Sequence, residues 1–162
     1  MKAVIPGSYD PFTCGHLDMV ERAARLFDEV VVAVGVNSAK DYLFTFDERL
    51  DLARRSVAGL PKVTVEPLTG LLVDFCRSHG AGTIVKGARS GLDFEAELAQ
   101  AQMNRSHTGI ETLILPTSAA WGFVSSTLVR QLARGGGDVT QYVPPAVQDY
   151  WRRSGHGPAD TH

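Results

Sequence analysis

Residues 1–36 read MKAVIPGSYDPFTCGHLDMVERAARLFDEVVVAVGV, and this stretch decides the fold. Lys2 to Pro6 is a short apolar run of strand length. Leu17, Val20, Ala24 and Phe27 then recur at helical spacing. Val30 to Val36 is nearly all apolar and β-branched, the composition of a parallel strand buried on both faces. Strand, loop, helix and strand in that order make a βαβ unit with a right-handed crossover.

The same alternation continues outward. Thr45-Phe46-Asp47-Glu48 is a capping box, and Leu50, Ala53 and Val57 line the helix it opens. Val63-Thr64-Val65 is a third strand. Leu72, Phe75 and Cys76 mark a helix that stops at His79-Gly80. Thr83-Ile84-Val85 is the fourth strand, and Phe94, Leu98 and Ala101 face one side of a helix reaching about Arg105. Thr112 to Leu115 is the fifth strand, ended by Pro116. Leu128, Val129 and Leu132 lie on a helix ended by Gly135-Gly136-Gly137, and a last short helix runs from about Pro145 to Trp151. The pattern predicts an α/β fold: a single-domain, Rossmann-like, doubly wound five-stranded parallel sheet with helices on both faces. Residues 1–153 form that domain, and the tail from Ser154 to His162 is expected to be disordered.

Composition narrows the function. The chain has 162 residues, 44% hydrophobic and 21% charged, which is ordinary for one globular domain. A net charge of -2 provides no basic field for a nucleic-acid backbone, so any anion must be caught by local groups. Cys14 and Cys76 fit no metal-ligand spacing and read as reduced thiols of a cytosolic protein. The first residues are too short an apolar run for a signal peptide, and no run approaches the roughly 18 residues of a membrane span. The expectation is a soluble cytoplasmic protein with neither nucleic acid nor membrane as partner.

Ligands of such sheets bind at the carboxyl ends of the strands. The loop after strand one, Pro6-Gly7-Ser8-Tyr9-Asp10-Pro11-Phe12-Thr13-Cys14-Gly15-His16, is longer than a usual βα loop. It ends at a helix start, where free N–H groups and the helix dipole attract phosphate. His16 falls in the first turn and Ser8 offers a hydroxyl. Gly7 and Gly15 read equally well as plain turn residues, and Cys14 as a tolerated position. The loop matches neither the P-loop pattern nor the dinucleotide fingerprint. After strand two, Asn37-Ser38-Ala39-Lys40-Asp41-Tyr42 carries Lys40, which reads either as a phosphate-reaching charge or as a solvated surface lysine. After strand four, Lys86-Gly87-Ala88-Arg89 sets two cations beside a glycine. After strand five, Trp121-Gly122-Phe123-Val124-Ser125-Ser126-Thr127 brings three hydroxyls into a helix start, as a second cradle or as redundant caps. Taken together these loops describe a polyphosphate pocket with no dedicated base or nucleophile.

These motifs resemble those of the bacterial phosphopantetheine adenylyltransferases, in the nucleotidyltransferase superfamily with an H-x-G-H or T-x-G-H motif. The resemblance runs from about residue 2 to residue 151. It rests on Pro6 to Pro11 with Thr13-Cys14-Gly15-His16; Phe44 through Glu48-Arg49; Lys86 to Arg89 with Asp93 to Glu97; Met103-Asn104; Ser125 to Arg130; and Gly136 to Val139. It implies transfer of AMP from ATP to 4′-phosphopantetheine, giving dephospho-coenzyme A and pyrophosphate with Mg²⁺ present. It further implies a homohexamer and feedback binding of coenzyme A. By the same resemblance, His16 and Lys40 are the catalytic pair. Ser8, Tyr9, His16, Gly87, Ala88, Arg89, Glu97 and Trp121 through Thr127 would contact ATP. Ser8, Lys40, Leu72 and Lys86 would contact the acceptor. No metal ligand is implied. The chain departs from the pattern at Ser8 for a frequent threonine, Lys86 for a frequent arginine, Ala96 for a frequent aromatic and Thr127 for a frequent serine.

An acceptor phosphate is already a nucleophile, so the implied reaction needs no general base, and catalysis rests on alignment and charge stabilisation. Three rivals bound this expectation. One is a superfamily transferase acting on nicotinamide mononucleotide or using CTP, which the Lys86–Arg89 and Asp93–Glu95 segments oppose. Another is a non-catalytic nucleotide-binding module, which has no use for His16 with Lys40. A flavodoxin-like electron carrier leaves the cations at the strand ends unexplained.

Overall fold

The central strand β1 (Lys2–Gly7) pairs in parallel with β2 (Glu29–Val34) on one side and β4 (Thr83–Ala88) on the other. β3 (Val63–Pro67) flanks β2 and β5 (Glu111–Pro116) flanks β4, so the five-stranded order is β3-β2-β1-β4-β5. The chain reverses direction across the sheet between β1 and β4, and a crevice opens there at the carboxyl ends. The helices are α1 (Cys14–Leu26), α2 (Phe46–Ser56), α3 (Leu72–Ser78), α4 (Gly91–Thr108), α5 (Ser126–Arg134) and α6 (Pro145–Arg153). This computed structural model describes residues 1–36 and 39–154. Asn37 and Ser38 of the expected second loop, and residues 155–162 of the expected tail, lie outside them.

The pleat of β2 explains its all-apolar run. Val30, Val32 and Val34 face one core cluster with Ile5, Phe12 and Val20, while Val31 and Ala33 face a second with Val4, Phe75 and Ile84. Both faces are covered, so neither can be polar. Thr45 accepts from the Glu48 amide, and the Glu48 carboxylate accepts from the Thr45 amide, which is the capping box expected for α2. Gly80, just past α3, adopts a φ of 65°, a conformation glycine enters at no steric cost. Among the described residues no helix is long and apolar enough to cross a membrane.

Two expectations change. β4 runs on to Ala88, because Lys86, Gly87 and Ala88 pair with Ile114, Leu115 and Pro116. The cation-bearing segment is therefore the end of a strand, and it is more rigid than a loop. On α4 the apolar stripe does not enter the core: Phe94 is 45% and Leu98 39% exposed, and the only buried residue of the helix is Asn104. The helical spacing holds, and the stripe stays exposed among the described residues.

Candidate active site

The first turn of α1 forms one wall of the crevice, and its geometry follows from Thr13. That residue is the helix N-cap: its hydroxyl accepts from the His16 amide at 3.3 Å, and its own amide donates to His16 Nδ1 at 3.0 Å. A backbone amide can only donate, so Nδ1 accepts and carries no proton. The neutral ring then bears its proton on Nε2. The ring lies edge-on to Tyr9 with 4.9 Å between centroids, and 5.5 Å from Phe12. Burial, helped by the charge of Arg89, lowers the imidazole pKa from 6.5 to about 4. His16 is thus a neutral N–H donor held at a helix N-terminus.

Tyr9 supports this wall from below. It is buried, its hydroxyl donates to the Ile5 carbonyl at 2.8 Å, and its φ of 52° bends the chain back over β1. A side chain at Gly7 would meet the Tyr9 ring at 2.9 Å, so only glycine admits that ring. Tyr9 can therefore reach the crevice through its backbone, while its ring belongs to the core. The Asp10 carboxylate, also buried, accepts from the Leu43 and Phe44 amides at 2.8 and 2.9 Å. This ties the first loop to the segment that carries Lys40.

The crevice encloses about 300 Å³, at the small end of ligand pockets. Of the residues expected from the sequence, it brings together Ser8, Tyr9, His16, Lys40, Lys86, Gly87, Arg89, Glu97, Val124, Ser125, Ser126 and Thr127. Lys86 and Glu97 meet directly in an ion pair of 3.2 Å. Arg89 is steadied by Asp93, which accepts from its amide at 3.0 Å and lies 3.5 Å from its Nε. At α5, Ser125 accepts from the Leu128 amide and Ser126 donates to the Pro11 carbonyl. The Ser125 cap leaves its hydroxyl proton for a ligand, since a cap only accepts.

Ala88, Trp121, Gly122, Phe123 and Leu72 do not line this crevice. Trp121 closes against Gly15, where an added Cβ would stand 3.5 Å from its own. Phe123 is 62% exposed and lies edge-on to Tyr142. Leu72 packs on the second core cluster, at the start of α3.

Sequence reasoning missed two cations. Arg130 donates to the Asp10 carbonyl at 2.6 Å and lines the crevice. Its place one helical turn after Ser126 was a signal for it, since both then share a face. Arg22 also lines the crevice, donating to the Pro116 carbonyl at 2.7 Å beside Asp18, which accepts from Ser118 at 2.6 Å. Its distance from His16 in sequence hid it.

The lining carboxylates are Asp10, Asp18, Asp41 and Glu97, and the contacts above already engage three of them. Among the described residues no three metal-binding side chains cluster. Mg²⁺ keeps most of its waters and binds readily through substrate phosphates. This donor set fits a metal carried by a polyphosphate better than one caged by protein.

Two helix N-termini, a neutral imidazole donor and five cations around one crevice define a nucleotidyltransferase-like site. Residues 4–132 match the family model described as cytidylyltransferase-like, and the chain belongs to that family. Its curated relatives narrow the class: the chain belongs with the phosphopantetheine adenylyltransferases. It is 58% identical to the phosphopantetheine adenylyltransferase of a Nocardioides species over 90% of this chain and 92% of that one. It is 52% identical to that of Streptomyces coelicolor, over the same shares. A solved Vibrio parahaemolyticus structure, assigned as a nicotinate-nucleotide adenylyltransferase, superposes with a TM-score of 0.73 over 96% of this chain and 93% of that one, at 20% identity. That likeness concerns the fold alone.

Proposed function

We propose that this enzyme transfers AMP from ATP to 4′-phosphopantetheine, releasing pyrophosphate and dephospho-coenzyme A. The observation that carries the mechanism is the Thr13–His16 contact, which holds a neutral Nε2–H donor at the start of α1. An oxygen of the acceptor phosphate forms a bond to the α-phosphorus as the bond to the pyrophosphate oxygen breaks. The pyrophosphate leaves with that electron pair, and no proton need move. His16 donates to a non-bridging oxygen of the transferring group, where charge is greatest in the transition state. Lys40, which lines the same crevice, offsets the repulsion of the two incoming anions. Ser125 and Thr127 at the start of α5, with Arg130, receive the outer phosphates. Arg89 and Glu97 flank the nucleotide, and Lys86 faces the acceptor. Mg²⁺ would arrive on the triphosphate and neutralise part of its charge.

The same reading gives a cytoplasmic homohexamer that coenzyme A inhibits by occupying the acceptor site. The exposed apolar side chains of α4 (Leu92, Phe94, Leu98 and Met103) support self-association. Pyrophosphate release from ATP tests the function, with 4′-phosphopantetheine, nicotinamide mononucleotide and no acceptor run side by side. Release with phosphopantetheine alone is expected. Release only with another acceptor would reject the substrate, and light scattering of the same sample reads the assembly.

A further inference from the structure

The largest side chain fully withdrawn from solvent is a cation, Arg49, at 1% exposure. It stands on the buried face of α2 with Leu50, Leu52 and Ala53. The β1–β2 ladder ends with Gly7 opposite Val34, and the Gly35 amide still reaches the Gly7 carbonyl at 2.9 Å. The carbonyls of Ser8 and Gly35 lie just beyond. Arg49 Nη1 donates to both, at 2.6 and 2.8 Å. Its guanidinium carbon lies 4.0 Å from the centroid of the Tyr42 ring and 5.4 Å from that of Phe46. The Tyr42 hydroxyl in turn lies 3.5 Å from Ser8 Oγ. One buried cation thus touches the end of β1, the end of β2 and the ring two residues after Lys40.

Stability alone is a poor account of this arginine. A buried charge is costly to desolvate, and its Nε–H has no hydrogen-bond partner. Asp10, whose charge acts on it, spends its carboxylate on the Leu43 and Phe44 amides. What a planar guanidinium does and an apolar residue cannot is to bond two carbonyls in its plane and stack a ring on its face. Arg49 does not line the crevice, but Ser8, Lys40 and Tyr42 do.

We propose that Arg49 is a positioning residue for the transfer: it sets the Ser8 wall and the Lys40–Tyr42 wall at the spacing that the acceptor phosphate requires. The proposal rests on the adenylyl-transfer reading and its assignment of Lys40 to the acceptor. Arg49→Lys keeps the charge and can reach both carbonyls, but loses the plane. Arg49→Met loses both. Steady-state kinetics for each substrate, ATP affinity by calorimetry and thermal melting are measured on the wild type and both variants, with kinetics run well below every melting temperature. For the acceptor, kcat/KM falls about tenfold in Arg49→Lys, and in Arg49→Met it approaches the roughly 100-fold cost of a 1 Å misplacement. The ATP dissociation constant stays within about twofold.

A lowered melting temperature with unchanged kinetic constants would make Arg49 a structural residue only. Equal losses toward ATP and acceptor would also overturn the proposal. Should Arg49→Met not fold, Tyr42→Leu removes the stacked ring and keeps the bonds. It is expected to raise the acceptor KM, and normal constants in both Tyr42→Leu and Arg49→Lys would overturn the role. A wild type inactive with every acceptor would instead overturn the functional reading, and this role with it.

Discussion

Lys86 Nζ lies 3.2 Å from Glu97 Oε1, joining the end of β4 to α4 inside the crevice. Both side chains are about a quarter exposed, at 27% and 26%, so water screens the pair and it contributes only about 0–1 kcal/mol to stability. On the proposed reading, the pair holds the cation in place until an anion competes for it. Lys86→Met is expected to raise the acceptor KM about 10- to 100-fold, the loss of one charge-assisted hydrogen bond of roughly 1.5–3 kcal/mol. Lys86→Arg, which restores a two-pronged donor, should lower that KM. Substrate-saturation curves check both, and an effect confined to the ATP KM would reassign Lys86.

His16→Ala should lower kcat by about 10²-fold, roughly 3 kcal/mol of transition-state stabilisation, and weaken ATP binding far less. Calorimetric ATP titration of the variant beside its turnover rate separates the two. An unchanged kcat would remove His16 from the chemistry.

The depressed pKa of His16 also predicts a stability slope. Folded His16 titrates at about 4 and the unfolded residue at 6.5, so the unfolded chain binds more protons between these values. The full contribution of neutral His16 is present above pH 6.5 and is lost as pH falls toward about 4. Melting at pH 7 and pH 5 should show a smaller drop in His16→Ala than in the wild type. In the same range kcat should show no limb from His16 near 6.5, since the folded ring stays neutral.

Two glycines of the crevice should respond differently to alanine. At Gly7 the new Cβ would stand 2.9 Å from the buried Tyr9 ring, which has nowhere to move, and a cost of about 1–3 kcal/mol is expected. At Gly87 it would stand 3.1 Å from the flexible end of Met19, which can swing aside. Denaturant melts should therefore place Gly87→Ala near the wild type and Gly7→Ala well below it.

Asp10→Ala removes the acceptor for two amides, those of Leu43 and Phe44, in a site that is 2% exposed. Each buried unsatisfied amide costs about 1–3 kcal/mol, so a large loss of stability is expected. Faster hydrogen exchange confined first to residues 40–44 would place the loss in that segment, and uniform exchange would not.

The order and type of elements were legible because each buried strand and helix stripe declares its period. The Thr45 capping box and the all-apolar β2 behave in the structure as their spacing requires. The candidate site was legible where its residues follow strand ends, as with Ser8, His16 and Lys40, or close a strand, as with Lys86. It was not legible at Arg22, because nothing local marks which helical cation faces a crevice.

What the sequence determined by itself is the alternation of apolar periods, the parallel sheet that these periods force, and the loops in which candidate phosphate-binding groups gather. These are local properties, carried by spacing within a dozen residues. Only the tertiary structure decided which tautomer His16 adopts, that Lys86 and Glu97 share a bond, and that Arg49 is buried. Arg49, which follows the capping glutamate, carries no local mark of burial. It becomes a core residue only because the ends of β1 and β2 leave two carbonyls within its reach, and that juxtaposition depends on strands far apart in the chain.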